Sequence, residues 1–306
     1  MVASFVEATG VTAVDSHTYA AKFDTEWCVG SVPHGGVVTS VFLRVAATHF
    51  CTTLAAQNQP HTISLHVEFL RRTQEGPAKL VVRDVKLGRQ TSTIHITLSQ
   101  DGREEVVGYL TQSNMNTEAG VSLRTLWYLH PPSRPPPLDF PKLFVGGEDP
   151  HWIEQTNRPS PKFRKVSNRV RTFLPREGQV ALGLVDEWLR LESGERFTNE
   201  SIGFVSDHFA SVIEGLWRNE RSDTRLPPFW YPTVALNLDI KKILPPEGVE
   251  WLFVRVRTKC IKGGRMDLEV VILDQMGEIV ALSHHVVLVV GTERNLAARR
   301  NGQTKI

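Results

Sequence analysis

Cysteine is scarce in this chain. Cys28, Cys51 and Cys260 are its only three, they lie far apart, and none sits in a CxxC spacing. An odd, scattered set supports neither a disulfide framework nor a zinc site and suits a reducing compartment. Long apolar runs are missing too, and MVASFVEATGVTAV lacks the basic start and apolar core of a secretory leader, so the chain reads as cytosolic with no membrane partner. The final Thr304-Lys305-Ile306 only loosely matches a peroxisomal tail of the Ser-Lys-Leu kind. Neither sign of charge dominates, since 35 Lys and Arg face 33 Asp and Glu, which argues against nucleic acid as a partner.

Signature motifs are equally sparse. No GxSxG elbow is present, which argues against the commonest serine hydrolase architecture. GxGxxG, P-loop and HExxH patterns are also absent, so no dinucleotide, nucleotide or other cofactor is expected. No carboxylate or cysteine accompanies the histidines at ligand spacing, so no metal is expected either.

What the chain does contain is itself, twice. HTISLHVEFLRR from His61 and PTVALNLDIKK from Pro232 alternate apolar and polar residues, end in a basic pair, and align Thr62 with Thr233. Further on, each copy has a Gly-Arg pair, Gly88-Arg89 and Gly264-Arg265, before a strand, a turn and a strand. STIHITLSQDG matches MDLEVVILDQMG, and two extra residues in the first hairpin align Gln112 with His285. Upstream, GGVVTSVFLRVAATHF and IGFVSDHFASVIEGLW each have apolar residues around most of a helix, which predicts two buried central helices with Ser40 aligned to Asp207. The matches recur at a spacing of roughly 170 residues, so a duplication spans the chain.

The proline density of LHPPSRPPPLDFPK forbids regular helix and predicts an extended linker. The expected organisation is a first unit over 1–125, a Pro-rich linker over 126–164, and a second unit with a basic tail over 165–306. Each unit is α+β, a long antiparallel sheet wrapped around one central helix.

Asp207 is the sharpest candidate residue, because a carboxylate within an apolar helix must reach water or find a partner. It reads either as a general base at a pocket wall or as a hydrogen-bonded structural Asp. Thr233 either faces the pocket, holding water or the Asp207 carboxylate, or caps its strand. His284 and His285 point to opposite faces, so only one of them can line a given pocket, and His285 is the candidate. Gly35, Gly36 and Gly203 sit where the two helices begin. Their N–H groups either polarise a carbonyl or leave room for close packing. Arg71, Arg72, Lys241, Lys242, Arg299 and Arg300 read as phosphate contacts or as solvated ends.

The succession GGVVTSVFLRVA, SLHVEFLRR, GR with STIHITLSQDG, DEWLRL, SDHF and PTVALNLDI resembles the double-hotdog acyl-CoA thioesterase family over nearly the whole chain. The resemblance implies a tandem hotdog fold and a triad in the second copy: an Asp on the central helix, a Ser or Thr on the next strand, and a Gln on the last strand. Asp207 and Thr233 match the first two, while the Gln position falls on His285, with Gln112 keeping that residue type in the first copy. The expected substrate is an acyl-CoA or acyl-carrier thioester, or a related hydrophobic small molecule. Because His exchanges protons where Gln cannot, a dehydratase, isomerase or cyclase using Asp207 and His285 is the alternative enzyme. A non-catalytic acyl-binding protein is the third reading. A monomer and a homodimer of tandem pairs are both compatible with such sheets.

Overall fold

The computed structural model describes residues 3–220 and 229–297. Period-two apolar patterns give the strands. In the first half these are β1 (Val11–Ala13), β2 (Thr18–Phe23), β3 (His61–Phe69), β4 (Gly76–Lys86), β5 (Ser92–Gln100) and β6 (Arg103–Ser113). They curl around α1 (Gly35–Cys51), whose circumference is buried from Val37 to Phe50 apart from a few positions. The second half supplies β7 (Trp152–Glu154), β8 (Val170–Pro175), β9 (Leu184–Leu191), β10 (Thr233–Ile240), β11 (Leu252–Arg257), β12 (Arg265–Leu273) and β13 (Ile279–Leu288).

Both halves join in one 14-stranded sheet, ordered β1-β2-β4-β5-β6-β3-β10-β13-β12-β11-β9-β8-β7, with Ile261–Lys262 paired to β12 off this path. The centre is the antiparallel pair β3·β10, in which His66 opposes Asn237, Val67 opposes Leu236 and Leu65 opposes Leu238. His66 and Asn237 are equivalent residues in the Thr62/Thr233 alignment, so a pseudo-twofold axis passes between them, and His66 Nδ1 lies 2.7 Å from Asn237 Oδ1. A bulge recurs at matched places, between Thr62 and Ser64 and between Thr233 and Ala235. Its repetition supports the duplication independently of side-chain identity.

Strand register corrects one alignment. Thr62 opposes Gln112, whereas Thr233 opposes Val287; on the other side Ser92 opposes Gln112 and Met266 opposes Val287. Gln112 is therefore the counterpart of Val287, and His285, opposite Leu268, is the counterpart of Leu110, opposite Ile94. Pairing fixes register on both edges of a strand, while hairpin length in the sequence left a two-residue slip open.

The second central helix also differs from expectation. Instead of one helix from Ile202 to Trp217, there is a single turn, α3 (Ile202–Val205), an unwound stretch from Ser206 to Ser211, and then α4 (Val212–Glu220). Gly36 and Gly203, equivalent positions, form the crossing of α1 with α3. A Cβ on Gly36 would lie 2.8 Å from the Phe204 carbonyl oxygen, and one on Gly203 would lie 2.8 Å from the Ser40 nitrogen.

The Pro-rich stretch is more than a spacer. Asp139 caps α2 (Phe140–Gly146), where Pro141 occupies a first-turn position that needs no N–H donor, and β7 adds to the sheet beside β8. Leu143 and Trp152 pack on Phe173, Trp188, Trp251 and Phe253, forming a second apolar cluster on the outer face. The bidentate Arg255–Asp186 pair (2.6 and 2.7 Å) adds a charged clamp, with Arg255 also donating to the Pro131 carbonyl. Covered on both faces, β9 is buried at every residue.

Candidate active site

The main cavity, about 310 Å³, lies where the start of α1 meets the unwound stretch of the second half. His34, Gly35 and Phe69 come from the first half; Asp207, Phe209 and Thr233 come from the second. A smaller cavity of about 50 Å³ is lined by Thr62, the first-half counterpart of Thr233.

Asp207 follows the single turn of α3, its N–H donating to the Phe204 carbonyl (3.1 Å). The helix opens beyond it, and there Glu187, on the inner face of β9, accepts the Ala210 N–H at 3.1 Å. By strand pairing, the counterpart of Glu187 is Tyr19: Glu187 opposes Val254 and Tyr19 opposes Leu80 on matching strands. Tyr19 does not take an N–H from the middle of α1; its hydroxyl meets His49 near the helix end (3.0 Å), and α1 runs unbroken. Burial lifts the Glu187 carboxyl to about 8, so it is protonated at neutral pH.

The Asp207 side chain is 10% exposed. Its Oδ1 accepts from Thr233 Oγ1 at 3.2 Å, and its Oδ2 faces Gly35 so closely that a Cβ there would lie 2.7 Å away. Burial pushes its pKa up to about 7, with hydrogen bonds from Thr233 and the Gly36 N–H acting the other way. A carboxyl so poised is a base that is partly charged at neutral pH.

Two imidazoles flank it. His34 Nδ1 accepts from the Gly36 N–H (3.2 Å) and lies 3.7 Å from Asp207 Oδ2; burial depresses its pKa to about 4. His285 Nδ1 lies 3.5 Å from Asp207 Oδ1, and burial depresses its pKa to about 3. Ser283 donates its only hydroxyl proton to the Asn237 carbonyl (2.6 Å), so it must accept from His285 Nε2 (2.8 Å). That fixes the Nε2–H tautomer and turns the bare Nδ1 toward Asp207. A lone pair facing a carboxyl oxygen favours the protonated carboxyl over the ionised one, the same direction in which burial acts on Asp207.

The structure thus brings Asp207, Thr233 and His285 together, with Gly35 and Gly36 beside them. His285 is fully buried and does not line the cavity, lying behind Asp207 and near Phe209, which do, while His284 points to the exposed face. Two expected substrate-binding residues are elsewhere. Gly203 belongs to the helix crossing, because backbone contact there leaves no room for a ligand. Gln112 Nε2 donates to Thr62 Oγ1 (2.6 Å) in the first half, so sheet geometry holds it away from the main cavity. The N–H of Gly36 serves His34 and Asp207, leaving Gly35 as the helix-end glycine on the cavity wall.

Among the basic groups, Arg71 and Arg72 line the cavity, but Arg72 donates to the Arg294, Asn295 and Ala297 carbonyls. Lys241 pairs with Asp239 and Lys242 with Asp274. Arg299, Arg300 and Thr304–Ile306 fall outside the described residues. Sequence reasoning passed over His34 and Glu187. The second left a signal, since Val185, Glu187, Leu189 and Leu191 alternate onto one face and place a carboxyl in an apolar register.

A sheet curled round a central helix, repeated about a twofold with one enlarged cavity, defines a tandem hotdog. An uncharacterised hot dog fold protein from Alicyclobacillus acidocaldarius superposes with TM-score 0.73 at 18% identity, over 95% of this chain and 99% of that one. An acyl-CoA thioesterase II, TesB2, from Mycobacterium marinum superposes with TM-score 0.64 at 18% identity, over 94% and 97%. In sequence, the thioesterase-like protein TwmA of Talaromyces wortmannii is 36% identical over 99% of this chain and 96% of its own length. The models of the acyl-CoA thioesterase N-terminal and C-terminal domains match residues 23–113 and 132–289. The chain belongs to the acyl-CoA thioesterase family. Among the described residues, no helix is long and apolar enough to cross a membrane.

Proposed function

We propose that the chain hydrolyses an acyl thioester, carried on coenzyme A or on a carrier, at the Asp207 cavity. The observation that carries this reading is a buried carboxyl poised at about 7, held by Thr233 beside the start of α1, on the wall of a substrate-sized cavity. Ionised Asp207 takes a proton from water while Thr233 holds it. The hydroxide adds to the thioester carbonyl, and the oxyanion forms beside the N-terminal end of α1 near Gly35. Collapse breaks the C–S bond, and the proton on Asp207 passes to the departing thiolate. His285 tunes Asp207 from behind.

The test is release of free thiol from a panel of acyl-CoA and acyl-pantetheine substrates. Turnover that disappears in Asp207→Asn supports the assignment, and turnover unchanged in that variant refutes it.

One observation favours a second reading, in which the same site dehydrates, isomerises or cyclises a hydrophobic intermediate. Asp207 and His34 both line the cavity, so one group can remove a proton while the other returns it. His285, assigned that role on sequence, faces Asp207 rather than the cavity. Product formation without thiol release distinguishes this chemistry.

A further inference from the structure

At the other end of α1, roughly 20 Å along the helix from Gly35, three side chains converge that are remote from one another in sequence. His17 precedes β2, His49 sits in the last turn of α1, and Asp84 lies on β4. His17 Nε2 lies 3.3 Å from Asp84 Oδ2, and His49 Nε2 lies 3.1 Å from Asp84 Oδ1. The three ligand atoms all lie within 4.8 Å of one another.

We propose that His17, His49 and Asp84 bind one divalent transition ion of the zinc type, tying the end of α1 to β2 and β4. Tetrahedral zinc with bonds of about 2.0–2.1 Å holds its ligand atoms about 3.3 Å apart, close to the two imidazole–carboxylate spacings, and a small rotation of the exposed His17 ring brings the remaining spacing into range. The outer partners are suitably placed as well. His17 Nδ1 lies 2.9 Å from Ser16 Oγ and His49 Nδ1 lies 3.0 Å from Tyr19 Oη, so each ring has a hydroxyl oxygen able to accept from Nδ1–H. With those protons on Nδ1, both Nε2 lone pairs face the carboxylate, the arrangement that metal-binding histidines adopt.

Without an ion, the same groups form a hydrogen-bond relay in which each Nε2–H donates to Asp84. Binding then needs only a tautomer change in each ring and no net proton loss from the imidazoles. His49 is fully buried, but the His17 and Asp84 side chains are 41% and 25% exposed, which leaves an approach for the ion and room for water as a fourth ligand. This site is independent of the thioester reaction, because none of its residues lines the main cavity.

The experiment uses the full chain without an affinity tag, freed of metal by a chelator and titrated with Co²⁺ by visible absorption and Zn²⁺ by calorimetry. One equivalent of Co²⁺ should give four-coordinate bands, and Zn²⁺ should displace it and raise the melting temperature. His17→Ala and Asp84→Asn, both at partly exposed positions, should fold, weaken Zn²⁺ binding at least ten-fold and lose the thermal shift. Absence of stoichiometric binding by the parent chain, or an isotherm unchanged in both variants, would overturn the site and leave the relay as the role of these residues.

Discussion

The two halves share a fold but differ in the groups they place at matched positions around their central helices. Around the first helix, the counterparts of the site residues are Ser40, Tyr19, Thr62 and Leu110, none of which ionises near neutral pH. Around the second they are Asp207, Glu187, Thr233 and His285, and burial moves the acids up and the imidazole down. With the change of residues goes a change of backbone, since α1 is continuous while its counterpart opens at the Glu187–Ala210 bond. The open stretch furnishes a wall of the large cavity; the small cavity lies beside the helix that stayed closed, with Asn199 and Ile240 of the second half also on its wall. The large cavity thus forms where the unwound stretch of the second half meets the start of α1, and both halves wall it.

The sharpest way to break this contrast is Asp207→Asn, which makes the two halves alike in lacking a base. Thiol release should fall by about 100-fold or more, with circular dichroism unchanged. In the parent enzyme the rate should rise with pH through about 7, because the ionised carboxylate is the active form.

The reverse transplant, Ser40→Asp, puts the carboxyl where no large cavity receives it. Ser40 is fully buried and its hydroxyl has no hydrogen-bond partner among the described residues, so the variant should lose about 2–4 kcal/mol in urea unfolding and gain no second site. A doubled turnover would contradict the assignment of activity to one half.

Glu187→Gln keeps an acceptor for Ala210 and removes the ionisation. The native pKa is raised from 4.5 to about 8, so its contribution to stability is complete below 4.5 and is lost as pH rises through about 8. Glu187 alone should lower the unfolding free energy of the parent over that window by on the order of 5 kcal/mol. The variant should retain only the slope of Asp207, which ends near 7. The imidazoles act oppositely: His34 and His285, depressed from 6.5 to about 4 and about 3, withdraw their stability as pH falls through those values.

Gly203→Ala and Gly36→Ala test the shared crossing from its two sides. Each Cβ meets backbone of the other helix at 2.8 Å, and each should cost about 1–3 kcal/mol. Only Gly36→Ala also disturbs the N–H held by Asp207 and His34, so it should lose activity out of proportion to its stability, measured as kcat against the urea midpoint. The smallest effect belongs to His285→Gln, which replaces the lone pair favouring protonated Asp207 with an amide that can donate. A severalfold change in kcat is expected, with the acid limb of the pH profile moving below 7; an unmoved limb would leave His285 a packing residue.

Much of this was legible in the chain. Alternation and repetition determined the α+β class, the duplication, the equivalence of Thr62 with Thr233 and of Ser40 with Asp207, and hence the half in which the carboxyl lies. These are local or periodic properties, and periodicity survives without knowledge of packing. Tertiary structure alone decided the rest. Register between distant strands moved Gln112 onto Val287 and left His285 without a glutamine counterpart. A carboxyl from β9 meets the Ala210 N–H where the second helix opens, and helix crossing turned Gly203 from a ligand donor into a packing residue. His34 joined Asp207 from the other half of the chain, and His17, His49 and Asp84 met from three elements. Each of these depends on contacts between residues far apart in sequence, where spacing along the chain carries no distance in space.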